Sequence, residues 1–265
     1  MRLDITTIYD LDDSRLNAYR HLRGVNQDTS FFIAEGKEAI ATLLDSNRFT
    51  LRSLLIVAAR LLEMMPLLEK RGTAFPIYCV TQKMIDELVG FRVDCGILAV
   101  SSREPLPSLE GFLKAMPKRA LVPVLCGIND KSHMGAIFRN AALFAADGVI
   151  LDKMTFDPLD HDTIKLSCGA SLKLPFTRGE DKKTIMGDLS RAGFQIYAIT
   201  SHASIYLHEV QLGARSALLF GPGIIEDIQP VHSLRIPVAF NFDNISIDSI
   251  TGICFSYFSD HSRLN

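Results

Sequence analysis

Four short apolar runs constrain the fold of this chain more than any other feature: ALVPVLCGI (Ala120–Ile128), GVILD (Gly148–Asp152), FQIYAIT (Phe194–Thr200) and SALLFG (Ser216–Gly221). Each is bounded by polar residues or glycine. Stretches of helical character, such as GAIFRNAALFAAD and KKTIMGDLSRAG, separate them. Runs of this length and spacing predict parallel strands buried on both faces, that is, an α/β architecture with helices on either side of a parallel sheet. In such sheets ligands bind at the loops beyond the carboxyl ends of the strands.

The amino-terminal part alternates in the same way. SFFIAEG, SLLIVA, PIYCVT and GILAVSS read as strands, and KEAIATLLD, Leu61–Arg71 and QKMIDELVG as helices, giving a βαβ-like series. EPLPSLEGFLKAMPKRA then brings three prolines among charges, the composition of a linker with one or two helical turns. The expected division is a small α/β domain over 1–104, a linker over 105–118 and a second domain over 119–265. A chain of 265 residues with 48% hydrophobic content has enough apolar material for two such cores.

A formal net charge of −2 excludes a protein that coats nucleic acid through bulk positive charge, so any RNA or DNA partner must be recognised locally. The five cysteines show no CxxC spacing and read as small core residues, without a disulfide framework or zinc site. His133, His161, His202, His208, His232 and His261 lack metal-ligand spacing, and no metal is expected. The amino terminus has no apolar core behind its arginine, and Leu54–Leu62 is interrupted by Arg60 and too short to span a bilayer. A soluble, cytoplasmic protein is the expectation.

Three loops can carry chemistry. In NDKSHMGAIFRN (Asn129–Asn140), Ser132 is a plausible N-cap, and Ile137, Ala141 and Phe144 form a buried stripe. Arg139 then falls about one and a half turns into the helix, near an amino end that favours anions, with a planar fork suited to phosphate. By position alone it equally fits a solvated arginine paired with a surface acid. LLFGPGII (Leu218–Ile225) follows a buried strand, and Gly221 and Gly223 permit close backbone approach to a flat ligand or simply a tight turn. LRIPVAFNFDNISIDSITGICFSYF ends in a helix with Ile250, Cys254 and Phe255 or Tyr257 facing inward.

In order and context these loops resemble the SpoU (TrmH) branch of the SPOUT class of RNA methyltransferases, over most of the chain. Asp130, Gly135, Ala136, Ile137, Arg139, Asn140 and Ala141 match the first signature. Leu218 to Gly221 match the second. Ile236, Pro237 and Val238, followed by Asn244, Ile245, Ser246 and Ile247, match the third. FDPLDHDTIKLSCGASLKLPF is similar to the stretch between the first two signatures, and FFIAEGKEAI to the family's small substrate-binding domain.

The resemblance implies a carboxyl-terminal trefoil knot, an exception to the rule that chains are unknotted, and a homodimer. It implies transfer of a methyl group from S-adenosylmethionine to a ribose 2′-hydroxyl of ribosomal or transfer RNA. Gly221, Ile236, Ile245 and Thr200 take the cofactor positions. Arg139, His133 and Ser246 take the catalytic ones, and Lys131, Asn140, Arg20 and Arg23 are the candidates toward substrate, with Arg15 and His21 as further candidate phosphate contacts; the amino-terminal cations equally fit a solvated helix face. Because guanidinium groups stay protonated, Arg139 is expected to bind phosphate and stabilise the developing alkoxide rather than act as a base.

The chain departs from the pattern at each loop. His133 replaces an asparagine, Gly223 stands where a glutamate is expected, Asn244 and Ser246 exchange the expected serine and asparagine, and Asp248 adds a charge. Two functions therefore compete: a methyltransferase with an altered pocket, and an RNA-binding or assembly protein on the same scaffold. An unrelated α/β nucleotide-binding enzyme is a third.

Overall fold

The computed structural model describes residues 3–20, 22, 30–71, 74–211, 213–222, 231–238 and 245–259. His21, Arg23, Gly223 and Asn244 lie outside them. The chain divides into two compact units, Met1–Pro105 with Leu159–Leu172, and Leu106–Pro158 with Lys173–Asn265.

The first unit contains β1 (Ile5–Thr7), β2 (Phe31–Glu35), α1 (Lys37–Asp45), β3 (Leu51–Val57), α2 (Ala58–Arg71), β4 (Ile77–Val80), α3 (Gln82–Val89) and β5 (Ile97–Ser102). Among the described residues its strands form one sheet in the order β1-β4-β3-β5-β2. The βαβ expectation holds for β3 and β4, which are parallel, but β5 runs antiparallel to both β3 and β2. The reversal is made at Gly96, in the left-handed region at φ 63°, whose carbonyl accepts the Val57 N–H at 2.8 Å. α3 has the expected local signals: the Thr81 hydroxyl accepts from Met84 N, and Gly90 closes the helix at φ 76°.

In the second unit come α4 (Leu109–Ala115), β6 (Ala120–Leu125), α5 (Lys131–Leu143) and β7 (Val149–Leu151). α6 (His161–Leu166), within the segment that groups with the first unit, and α7 (Ala170–Lys173) follow. Then come β8 (Phe176–Arg178), α8 (Lys182–Arg191), β9 (Gln195–Ile199), β10 (Ile205–Tyr206), β11 (Arg215–Phe220), β12 (His232–Arg235) and α9 (Ile247–Phe258). Among the described residues the sheet is parallel throughout, in the order β10-β12-β9-β11-β6-β7-β8. Leu109 and Phe112 of α4 and Ile185 and Leu189 of α8 pack in one core with Ile196, Ala198, Ala217 and Leu219. On the opposite face Phe255 and Phe258 of α9 meet Phe220 and Tyr197 edge-on, and Phe138 of α5 meets Phe176.

Two boundaries differ from expectation. The stretch 105–118 carries the expected two helical turns as α4, but they are packed: Ser108 caps the helix through the Gly111 N–H, and Leu109, Phe112 and Leu113 are buried at the i, i+3, i+4 spacing. Residues 159–172 group with the first unit because a buried carboxylate holds them there. Glu35, whose side chain is 5% exposed, accepts from His161 Nε2 at 2.8 Å and from Lys165 Nζ at 2.9 Å. Burial raises the Glu35 pKa, but the hydrogen bonds from His161 and Lys165 outweigh it and bring the group down to about 2.

Candidate functional site

The β6–α5 loop starts at the carboxyl end of a central strand, where Gly127 turns the chain at φ 68°. Asp152 and Thr155 shape it. Asp152 Oδ1 accepts from Gly127 N at 3.1 Å and from the Thr155 hydroxyl at 2.6 Å, and Thr155 Oγ1 accepts from Ile128 N at 3.3 Å. Neither residue was expected at the site. The signal was Asp152, a lone acid ending a buried strand, 7% exposed and so obliged to find donors.

Asp130, not Ser132, caps α5: its carboxylate accepts from His133 N at 2.9 Å. That bond is the main reason its pKa lies below the usual carboxylate value. The helix thus begins at Lys131, and Arg139 lies about 12 Å along the axis from that first residue. Arg139 therefore lies about two turns into α5, further from the helix start than a cap at Ser132 implied. Lys131 sits with its ammonium 5.4 Å from the Phe156 ring, and His133 is exposed in the first turn.

Arg139 points instead to α9, where Nη2 lies 3.5 Å from Asp248 Oδ2; the two side chains are 48% and 51% exposed. Asn140, expected toward substrate, is buried. Its amide donates to the Asp248 carbonyl at 2.8 Å, to Asp248 Oδ1 at 3.0 Å and to Thr251 Oγ1 at 2.8 Å. A group so occupied is a joint between α5 and α9, not a substrate contact. Ser246 is the N-cap of α9, its hydroxyl accepting from Ser249 N at 3.2 Å. Thr251, Cys254, Phe255 and Phe258 form the buried face of α9, while Ile250 and Tyr257 are only partly covered.

Three expected cofactor positions lie at the ends of consecutive strands, β12, β9 and β11. Ile236 directly follows β12. Thr200 follows β9 and donates its N–H to the Leu234 carbonyl at 2.8 Å. Gly221 follows β11 at φ 145°, where a Cβ would collide with the Cys126 carbonyl. Here only glycine lets the β11 exit pass the start of the β6 loop. Ile245, half-buried, precedes the Ser246 cap. The three positions share the carboxyl-terminal edge of the parallel sheet, the edge at which ligands bind in folds of this kind, and they present backbone polar groups there.

Arg20, assigned toward substrate, lies in the first unit and is bound locally. It donates from Nη2 to the Leu11 carbonyl and from Nε to Asn17 Oδ1 at 3.3 Å. Arg15 is likewise paired with Asp13 at 2.6 Å. Both staple their own turn. Among the described residues no cluster of His, Cys, Asp and Glu could hold a metal ion, and no helix is long and apolar enough to cross a membrane.

Comparison with known proteins gives a consistent result. Residues 120–228 match the model of the SpoU rRNA Methylase family. An uncharacterised tRNA/rRNA methyltransferase of Mycobacterium tuberculosis is 30% identical over 96% of this chain and 91% of its own length. A 23S rRNA (guanosine-2′-O-)-methyltransferase of Xanthomonas axonopodis is 24% identical over 82% and 92% of the two chains. Among solved structures, an AdoMet-bound rRNA methyltransferase from Sinorhizobium meliloti superposes with a TM-score of 0.79 at 20% identity, covering 96% of this chain and 97% of that one. A SpoU methyltransferase from Streptomyces viridochromogenes gives a TM-score of 0.77 at 16% identity, covering 92% and 96%. Both share the fold.

Proposed function

Since the chain belongs to the SpoU rRNA methylase family, the SpoU (TrmH) branch of the SPOUT class, we propose that it transfers a methyl group from S-adenosylmethionine to a ribose 2′-hydroxyl of ribosomal or transfer RNA. The observation that carries this reading is the run of three adjacent strand ends, Ile236, Thr200 and Gly221, with the half-exposed Arg139 on the helix that leaves the neighbouring strand β6. S-adenosylmethionine, when bound, supplies an electrophilic sulfonium methyl. The chain supplies the rest. Backbone groups at Gly221, Ile236 and Thr200, with Ile245 beside the α9 cap, hold the adenosine part.

A ribose hydroxyl is a weak nucleophile, so it has to be positioned in line, lose its proton to solvent as the carbon–oxygen bond forms and the sulfur–methyl bond breaks, and have its developing negative charge stabilised. Arg139 does this with a fixed positive charge, while Lys131 and His133 at the start of α5 bind phosphate. Ser246 sets the start of α9 and with it the position of Asp248. The test is calorimetric titration of S-adenosylmethionine together with methyl incorporation into total RNA, both for the wild type and for Arg139→Ala.

The inferred path of the carboxyl-terminal segment is a trefoil knot. Its support is the late entry of β11 between β9 and β6, after β9 has been laid down. A homodimer is supported by Leu143 of α5, 67% exposed, and Ile253 of α9, 43% exposed, apolar residues on two helices joined through Asn140. The cytoplasm, where ribosomal and transfer RNA are reached, is the proposed location. One observation favours the second reading, an RNA-binding or assembly protein without transferase activity: the Asp248 carboxylate competes for the Arg139 guanidinium.

A further inference from the structure

Beside these strand ends stands a cluster of flat groups that the reaction does not use. The Arg235 guanidinium lies over the Tyr206 ring, 4.0 Å from its centre. The His208 imidazole stacks on the same phenol, with 5.5 Å between ring centres and 21° between planes. Tyr206 and Arg235 are half-buried, and His208 is exposed, so the imidazole is the member of this cluster open to solvent. The Arg235 Nε is buried and finds no acceptor among the described residues; the guanidinium is held by the ring.

The fold fixes this stack from behind. Tyr206 is in register with Arg235 at the edge of the parallel sheet. Leu207 is buried, Glu209 turns its carboxylate back to the Tyr206 N–H at 2.7 Å, and Tyr257 of α9 donates to the Val210 carbonyl at 3.3 Å. The stack also adjoins the site directly. Arg235 ends β12 one residue before Ile236, and Leu234 accepts the Thr200 N–H. The strand ends thus have, on the neighbouring strands, an exposed imidazole packed on a phenol that also holds a cation.

We propose that His208, Tyr206 and Arg235 form a stacking platform for a nucleobase of the substrate RNA, next to the nucleotide that is methylated. This rests on the methyltransferase reading of the strand ends. Stacking of this kind is tolerant of sequence, since every base has a π face, whereas the ribose and phosphate are handled elsewhere. The other source of a nucleobase, the adenine of the cofactor, is separated by the experiment.

The test uses the full chain and a fluorescent single-stranded RNA 12-mer, read by anisotropy, with S-adenosylmethionine affinity measured in parallel by calorimetry. His208→Ala and Tyr206→Ala should each weaken RNA binding about tenfold or more, the loss of one stacked base. His208→Phe, which keeps a π face without the titratable nitrogen, should restore it, and cofactor affinity should stay at the wild-type value throughout. Unchanged RNA affinity in both alanine variants, in a wild type that binds RNA and methylates it, overturns the platform alone. A fall in cofactor affinity instead assigns the stack to adenine and overturns it too. A wild type that binds no RNA overturns both the platform and the function it rests on.

Discussion

Asn140 of α5 reaches Asp248 of α9 twice, donating to its carbonyl at 2.8 Å and to its carboxylate at 3.0 Å. The contact orients the carboxylate so that its other oxygen faces Arg139. Arg139, Asp248, Asn140 and Thr251 thus form one chain of polar contacts running from an exposed guanidinium into the α5–α9 interface.

Asn140→Ala should destabilise the second unit by about 1–3 kcal/mol, because the Asp248 carbonyl and the Thr251 hydroxyl lose a buried donor. Urea unfolding monitored by circular dichroism measures it. A midpoint identical to wild type would mean that the two helices are held by their apolar faces alone.

Asp248→Asn tests the partner. The ion pair is half exposed, so its loss should change stability by less than about 1 kcal/mol. Removing the competing charge should tighten RNA binding several-fold at low salt and steepen its salt dependence. RNA affinity that is unchanged or weaker would show that Asp248 holds the guanidinium in its working position.

Gly221→Ala places a Cβ against the Cys126 carbonyl at a φ of 145°. The expected loss is about 1–3 kcal/mol from backbone strain alone, and cofactor binding should fall with it. Gly187→Ala is the control: it lies on α8 with nothing within 4 Å of the added Cβ. It should stabilise the protein by about 0.5–1 kcal/mol, since alanine is the better helix former. Melting temperatures of the two variants should move in opposite directions.

Glu35 predicts an acid-labile first unit. Its folded pKa of about 2 lies below the ordinary 4.5, so the stability it contributes is fully present above pH about 4.5 and is lost as pH falls toward about 2. Glu35→Gln should flatten the dependence of stability on pH in that window, measured by denaturant titration at a series of pH values. The same slope in wild type and variant would assign the acid sensitivity to other carboxylates.

The sequence disclosed what physics writes in long apolar runs. β6, β7 and β11 are buried through nearly their whole length and β9 through its centre, and they stood out for that reason. β8, β10 and β12 have three, two and four residues, too few for any periodicity, and β12 carries a histidine, a serine and an arginine. β1 is equally short, at the sheet edge. Gly221 and Thr200 were legible as strand ends because each closes such a run, whereas Ile236 was marked only by the third signature that it begins. Asn140 was misread because a polar residue beside Arg139 reads as part of a site, and only its burial against α9 shows otherwise. The capping contest between Asp130 and Ser132 could not be decided from residue type, as both are good caps.

The most direct measurement is incubation of the purified protein with S-adenosylmethionine carrying an isotopically labelled methyl group and total RNA, followed by nucleoside mass spectrometry. The predicted result is label in a 2′-O-methylated nucleoside, falling about 100-fold or more in Arg139→Ala while cofactor affinity is unchanged, as expected when a charge that acts in the transition state is removed. Label confined to base-methylated nucleosides, no label from the wild type, or equal label from Arg139→Ala would contradict the account.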